Sequence, residues 1–547
     1  MTHMKSTKKL LALLLSAILL LSLLPAAFAS EVGGAGTTGG EATSSTAQKF
    51  HLTITNTYPK HVFELYQVFT GTLHTETTQT GTSTTFTRYL SDIAFGSAWG
   101  DTTGKDISKI VDEFKKNVDN NWNVLVTENV ATPKVYETKT CADGANSVTF
   151  SDLDAGYYIA REITPAADMG EGVTYSSVIV QVVESVNVAS KHGTASSQKK
   201  VKDTNDSVAN STTGWQDSAD YDIGDMVPFQ LTAVVGSDYA KYSEKHGYSL
   251  TFHDHESKGL TFNPASVNAY VVNGNENPVT IATSEYKVSP LTTRGDGSHD
   301  FTIEFTNLKN IEAVQAGSKI VVEYESELNK DAVIGSTGNP NEMHITFSNN
   351  PNSDQPEENG KTPDDKVIVF TYRFDVFKKD GTQAGAENHA PLPGATFALY
   401  KKVNGDYTKE IGTIKSKETP EGYIFRFTGL DDGDYKLVEV KAPDGYNTAE
   451  DVYFTITADH EADSSDPKLI NLGCKYRSGQ TGTANEITGS VSGLNDGSIL
   501  IDVLNYRGNT LPSTGGMGTT VFYVLGSILA VGAAILLVSK KRMNGAR

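Results

Sequence analysis

Two cysteines in 547 residues, Cys141 and Cys474, are too few and too widely separated to build a disulfide framework. Basic residues are also in short supply: 46 Lys and Arg stand against 66 Asp and Glu, for a net charge of -20. Nucleic acid is therefore not an expected partner, because phosphate contacts need grouped Lys and Arg that the middle of the chain does not supply. Long apolar runs are missing except at the two ends. No Ser/His/Asp set, phosphate loop or zinc spacing stands out, so the motifs call for no cofactor, no metal ion and no enzymatic activity. His253-Asp254-His255-Glu256 has metal-binding letters, but on a strand the two His and the two carboxylates fall on opposite faces.

The two ends carry the strongest signals. Residues 1–29 join a basic start (Lys5, Lys8, Lys9) to the apolar run Leu10–Leu24 and the small-residue exit Ala27-Phe28-Ala29, the build of a secretory signal peptide cleaved before Ser30. At the other end Leu511-Pro512-Ser513-Thr514-Gly515 precedes an apolar run over 521–538, long enough to span a bilayer, and a basic tail from Lys540 to Arg547. This ordered trio over 511–547 resembles the LPxTG cell-wall sorting signal read by sortases. The resemblance implies cleavage between Thr514 and Gly515 and transfer of the Thr514 carbonyl to an amine.

Residues 30–48 are Gly, Thr, Ser and Ala with little to bury, a flexible leader. Three domains are expected after it, at 49–189, 199–371 and 372–508, with a linker at 190–198 marked by composition. Period-two apolar residues, β-branched and aromatic types and frequent turns predict a mainly β chain of tandem immunoglobulin-like, antiparallel β-sandwiches in an elongated array. One helix is expected, over Ile107–Asn117. Asn349–Asp365 reads as a long exposed loop.

An exported chain without disulfides must hold its strands together another way, and strand alternation suggests how. Lys378 shares a face with Phe374 and Val376, Glu439 with Tyr435 and Leu437, and Asn505 with Ile501 and Val503. Burial lowers the Lys pKa to give a neutral amine and raises that of Glu, so the set is suited to a Lys–Asn isopeptide bond with release of ammonia. The run Tyr435–Tyr446 resembles the E-box of CnaB-type pilin domains, which implies Lys378 joined to Asn505 with Glu439 assisting. In the middle domain the same alternation selects Lys199, Asp254 and Asn349, with Lys200 or Lys202, Glu323 or Glu325, and Asn350 as neighbouring alternatives. The stretches Asp222–Phe229, Gly259–Phe262 and Phe347–Asn352 resemble the middle domain of the same pilins.

These resemblances identify the chain as similar to sortase-assembled major pilins of Gram-positive bacteria. They imply a shaft subunit on the cell surface, covalently attached to the wall. Its partners would be a class C sortase for polymerisation, a housekeeping sortase for anchoring, identical subunits, minor pilins and peptidoglycan. In such pilins a lysine between the first two domains accepts the acyl group, commonly after an aromatic residue and Pro. Lys191 occupies that place without those neighbours, whereas Tyr58-Pro59-Lys60 matches by letters but follows the first strand and reads as a hairpin turn. The alternative is a monomeric wall-anchored adhesin; Arg294-Gly295-Asp296 is an integrin-type tripeptide in a Gly-rich turn, read first as a hairpin loop.

Overall fold

The computed structural model describes residues 48–508 apart from 81–82, 117–120, 128–131, 243–246, 353–358, 383–388, 416, 420–421 and 480–486. The signal peptide, nearly all of the leader, the sorting residues Leu511, Pro512, Thr514 and Gly515, and the 521–538 span lie outside the described residues. Among the described residues no helix is long and apolar enough to cross a membrane. The chain divides by its contacts into two units. One holds the chain up to Val201 with Pro228–Ser326 and Pro340–Val367, and the other holds Lys202–Val227, Glu327–Asn339 and the chain from Ile368. Lys202–Val227 and Glu327–Asn339, expected within the middle domain, thus make their contacts with the C-terminal part of the chain.

The first unit begins with two packed sheets. Ser147–Leu153, Phe50–Thr55 and Val186–Ala189 form one, in that order; Ser83–Phe95, Val62–Thr80, Gly156–Glu162 and Ser177–Val182 form the other. Phe50, Leu52 and Ile54 alternate with polar residues and enter a core with Phe63, Leu65, Val148, Phe150 and Tyr158. The expected helix is present as Ile107–Lys116, because Ile110, Val111 and Phe114 recur at helical spacing and pack with Phe69, Trp99 and Trp122. Asp106 caps its start, the carboxylate accepting from the Ser108 and Lys109 amides at 3.0 and 3.3 Å. A second helix, Asn121–Thr127, was not evident from the sequence.

In the same unit, Val279–Thr280, Leu260–Val272, Lys319–Leu328, Met226–Val234 and Ser196–Val201 form a five-stranded sheet. Leu250–Glu256 belongs to another sheet, paired antiparallel on one side with His299–Phe305 and on the other with Asn339–Ser348. The Ser196–Val201 strand starts inside the stretch read as linker, and the Asn349–Asp365 loop carries the short strand Asn359–Lys361.

The second unit is a sandwich around a core rich in Phe374, Phe397, Phe425, Tyr435 and Phe454. One sheet runs Lys417–Thr419, Gly422–Leu430, Tyr372–Asp380, Ser498–Asn505, Ser490–Val491; the other centres on Thr396–Val403, Gly433–Lys441 and Val452–His460.

The expectation of purely antiparallel sandwiches is corrected at three places: the short pair of Ser218–Asp220 with Asp365–Phe370 is parallel, and so are two longer ones. Phe50–Thr55 pairs parallel with Val186–Ala189, and Tyr372–Asp380 pairs parallel with Ser498–Asn505. Each is a pair between the first and last strands of a sandwich, joined through the rest of the domain, so no tight turn forces them antiparallel. The register sets Lys378 opposite Val503 and Asp380 opposite Asn505.

Candidate functional site

Among the described residues three lysines are fully buried: Lys199, Lys378 and Lys401. A buried ammonium is costly unless it finds a partner or loses its proton. The three environments differ in what faces the amine.

Lys199 lies on the inward face of Ser196–Val201 with Val201, while Lys200 and Lys202 point to partly exposed surroundings. Its Nζ donates to Asp254 Oδ2 at 2.5 Å and to the Tyr324 hydroxyl at 2.8 Å. Tyr324 also donates to Asp254 Oδ2 at 3.0 Å and accepts from Asn341 Nδ2 at 3.0 Å. Glu256, next on the same strand face as Asp254, takes Ser326 Oγ at 2.5 Å and Asn341 Nδ2 at 3.3 Å. Burial lowers the Lys199 pKa despite Asp254. Burial likewise raises Asp254, and burial with the Asp254 charge raises Glu256 to about 8. The Asn341 Oδ1 is buried without a hydrogen-bond partner. An amine whose charge burial disfavours, two carboxyls whose pKa burial raises and an amide with an unused carbonyl oxygen therefore meet within one core.

Asn349 is not part of this set, which corrects the sequence reading. On Asn339–Ser348 it is Met343 that stands opposite Asp254 and Asn341 that stands opposite Glu256. Asn349 is six residues beyond Met343, about 20 Å along an extended strand, too far for Asp254 to serve it. It closes the far end of the sheet, where its carbonyl accepts from the Tyr175 amide at 2.8 Å and Gly360 packs against its side chain. Asn341 and Asn349 occupy the same face, so alternation alone could not choose between them. Glu323 faces away and accepts from the Tyr270 hydroxyl at 2.7 Å; Glu325 and Asn350 are likewise only partly buried.

In the second unit Lys378, Glu439 and Asn505 come from three strands and are all buried. Asn505 Nδ2 donates to both Glu439 oxygens, at 3.0 and 2.9 Å, and Glu439 Oε2 also takes the Ala449 amide at 2.7 Å. Lys378 Nζ donates to the Val503 carbonyl at 2.9 Å, two residues before Asn505 on the neighbouring parallel strand. Burial lowers the Lys378 pKa to about 8, with Glu439 opposing. Asn505 Oδ1, like that of Asn341, is buried and unpartnered.

Lys401 is the contrasting case. Its Nζ meets Asp431 Oδ2 at 2.8 Å and Asp222 Oδ2 at 3.0 Å, and Lys409 adds a second cation to Asp222 at 2.9 Å. Burial works against its charge, but Asp431 and Asp222 outweigh it and hold the pKa above the ordinary lysine value. No amide faces this amine in the hydrogen bonds it makes, and it remains an ion-pair centre.

The candidate acceptors are both exposed. Lys191 follows the Val186–Ala189 strand, and its backbone is fixed by Ser190 N on Thr55 O at 2.8 Å and by its own amide on Ser176 Oγ at 3.1 Å. Lys60 has φ +68° in the connection between Phe50–Thr55 and Val62–Thr80. Those strands belong to different sheets, so this turn is an inter-sheet connection and not the expected hairpin. The two loops are neighbours: the Tyr58 ring lies 5.5 Å from that of His192. Arg294-Gly295-Asp296 sits in a turn in which Arg294 Nε binds Asp300 at 2.5 Å and Asp296 accepts from Ser298, in keeping with a hairpin loop. Cys141 and Cys474 are buried and unbonded.

Comparison with known proteins bears on the same regions. Residues 223–351 match the model of the Gram-positive pilin backbone subunit 2, Cna-B-like domain; residues 377–468 match a prealbumin-like fold domain; residues 505–545 match the LPXTG cell wall anchor motif. The trypsin-resistant surface T6 protein of Streptococcus pyogenes serotype M6 is 25% identical, covering 75% of this chain and 83% of that protein. The solved T6 backbone pilin of that organism aligns with TM-score 0.50 and 19% identity over 85% of this chain and all of that one. The major pilin SpaD of Corynebacterium diphtheriae aligns with TM-score 0.46 and 17% identity, over 86% of this chain and 100% of that one. The chain thus carries a Gram-positive pilin-backbone domain, a prealbumin-like domain and an LPXTG wall-anchor motif in that order, and is similar to Gram-positive backbone pilins, surface proteins attached to the cell wall.

Proposed function

We propose that the chain is the repeating shaft subunit of a covalent pilus, a structural protein and substrate rather than a turnover enzyme. Its order of pilin-backbone domain and LPXTG anchor is the observation that carries this reading. A class C sortase cuts between Thr514 and Gly515, holds Thr514 as a thioester, and passes it to Lys191 of the next subunit; a housekeeping sortase passes the last one to peptidoglycan. Minor pilins join by the same chemistry. Of the three domains at 49–189, 199–371 and 372–508, the last two serve as the modules that bear load.

Two internal bonds strengthen the subunit: Lys199 to Asn341, and Lys378 to Asn505. In the first, Asp254 takes the proton that Lys199 loses and Glu256, kept protonated, polarises the Asn341 carboxamide. The amine then attacks the carboxamide carbon, and the amide nitrogen leaves as ammonia. Glu439 fills both roles for Lys378 and Asn505. The geometry supports this because each carboxylate bonds to the amine or the amide it would serve.

Intact mass of the purified full chain tests the internal bonds. The expected mass is lower than the sequence mass by two molecules of ammonia; an unshifted mass would refute both.

A further inference from the structure

We propose that His61, Glu162 and His192 form a site for one divalent transition-metal ion of the zinc class. The site lies between the two loops that carry Lys60 and Lys191. Its residues take no part in the internal bonds or the sorting chemistry, so it stands or falls independently of the proposed function.

His61 follows the Tyr58-Pro59-Lys60 turn, Glu162 ends the Gly156–Glu162 strand, and His192 follows Lys191. Their side chains are 1%, 0% and 7% exposed, and one ligand atom from each lies within 4.8 Å of the others. His61 Nδ1 is 2.5 Å from Glu162 Oε1, and His192 Nδ1 is 3.4 Å from Glu162 Oε2. Ligands about 2.0–2.2 Å from a tetrahedral zinc stand ~3.3 Å apart, inside the 4.8 Å within which one ligand atom of each residue lies.

His192 points to a ligand by itself. Its Nδ1 lies 2.9 Å from the Thr174 carbonyl, to which it donates. That leaves the lone pair on Nε2, which is buried without a hydrogen-bond partner. An unused imidazole nitrogen in a closed site is what a metal would consume.

The surroundings also suit a metal. Glu162 is oriented by the Ser176 amide and the Thr164 hydroxyl, both at 2.9 Å, as ligating carboxylates usually are. Tyr58, half exposed, lies with its ring 5.1 and 5.5 Å from the two imidazoles. Two imidazoles and one carboxylate select zinc-like ions, whereas calcium and magnesium favour all-oxygen sites. A bound ion would fasten the Lys60 turn to the Lys191 segment.

The test is metal content of the full chain, stripped with chelator and then dialysed against zinc, calcium or magnesium. One zinc per chain is expected, with neither calcium nor magnesium at this site. Cobalt in its place should give visible bands of a four- or five-coordinate nitrogen and oxygen site. His61→Ala and His192→Ala should each weaken zinc at least tenfold, while His460→Ala leaves it unchanged. A wild-type chain that retains no zinc and shows no cobalt bands would overturn the site whether or not the alanine variants fold. So would zinc retained equally by folded His61→Ala and His192→Ala chains.

Discussion

The N-terminal and C-terminal sandwiches share one topological device and use it differently. In both, the first strand lies parallel to the last. In the C-terminal domain those strands present Lys378 and Asn505 to the interior; in the N-terminal domain they present Phe50, Leu52 and Ile54 against Val186 and Val188. Among the described residues of the N-terminal domain no lysine is buried. Topology alone therefore does not decide where covalent chemistry is placed. In the proposed polymer load does: were Thr514 of one subunit joined to Lys191 of the next, tension would run through the chain from 191 to 514. The middle and C-terminal domains lie on that path and hold the reactive sets, and residues 49–189 lie off it. Were Lys60 the acceptor, the N-terminal domain would bear the same tension without a bond.

The largest expected effect breaks the comparison at its origin. Lys191→Ala should abolish the high-mass ladders seen when wall extracts are separated by denaturing electrophoresis, and Lys60→Ala should leave them intact. The reverse pattern would place the N-terminal domain under load and remove the argument.

Next comes the covalent bond proposed for the C-terminal domain. Glu439→Gln should leave Lys378 and Asn505 unjoined, restoring one ammonia to the mass. For a closed loop of over 100 residues the lost chain constraint is about 4–5 kcal/mol in the chain-entropy model, which calorimetry would read as a fall of about 10 °C or more. The ion-pair centre offers a control of similar size with the opposite mass result. Lys401→Met leaves Asp222 and Asp431 buried beside one another and should cost about 3–5 kcal/mol, with no change in ammonia lost.

The unjoined Glu439→Gln chain should also show a pH signature. The folded state holds Lys378 near 8 against the ordinary lysine value of 10.5, so between those values the unfolded chain binds the extra proton. Stability then rises with pH across that window, by up to about 3 kcal/mol, and the penalty is fully present below pH 8. Denaturant melts at pH 7.5 and 10 would measure it; a flat profile would mean that Lys378 is not desolvated.

The smallest effect separates two asparagines. Asn341→Ala should restore one ammonia, whereas Asn349→Ala should form the bond normally and lose only about 1–2 kcal/mol from its buried position.

What the sequence allowed to be read follows from the same residues. Period-two alternation placed Lys199, Lys378, Glu439 and Asn505 on inward faces, because a strand has only two faces and the apolar neighbours name the buried one. It could not choose between Asn341 and Asn349, since both obey the alternation and only the pairing of Asn339–Ser348 with Leu250–Glu256 fixes distance along the strand. Glu256 was visible as Asp254's partner on the same face, but its role depends on Asn341 opposite it. The parallel pairing of first and last strands left no local sign, as register between strands over 100 residues apart is set by the closed sheet. His61, Glu162 and His192 share no motif for the same reason: the contact between the first two spans 101 residues.

Peptide mapping of polymer released from walls tests the central claim most directly. The account predicts Thr514 joined to Lys191, Lys199 joined to Asn341 and Lys378 joined to Asn505, with no cross-link inside residues 49–189. A cross-link within the N-terminal domain, or Thr514 found on Lys60, would contradict it.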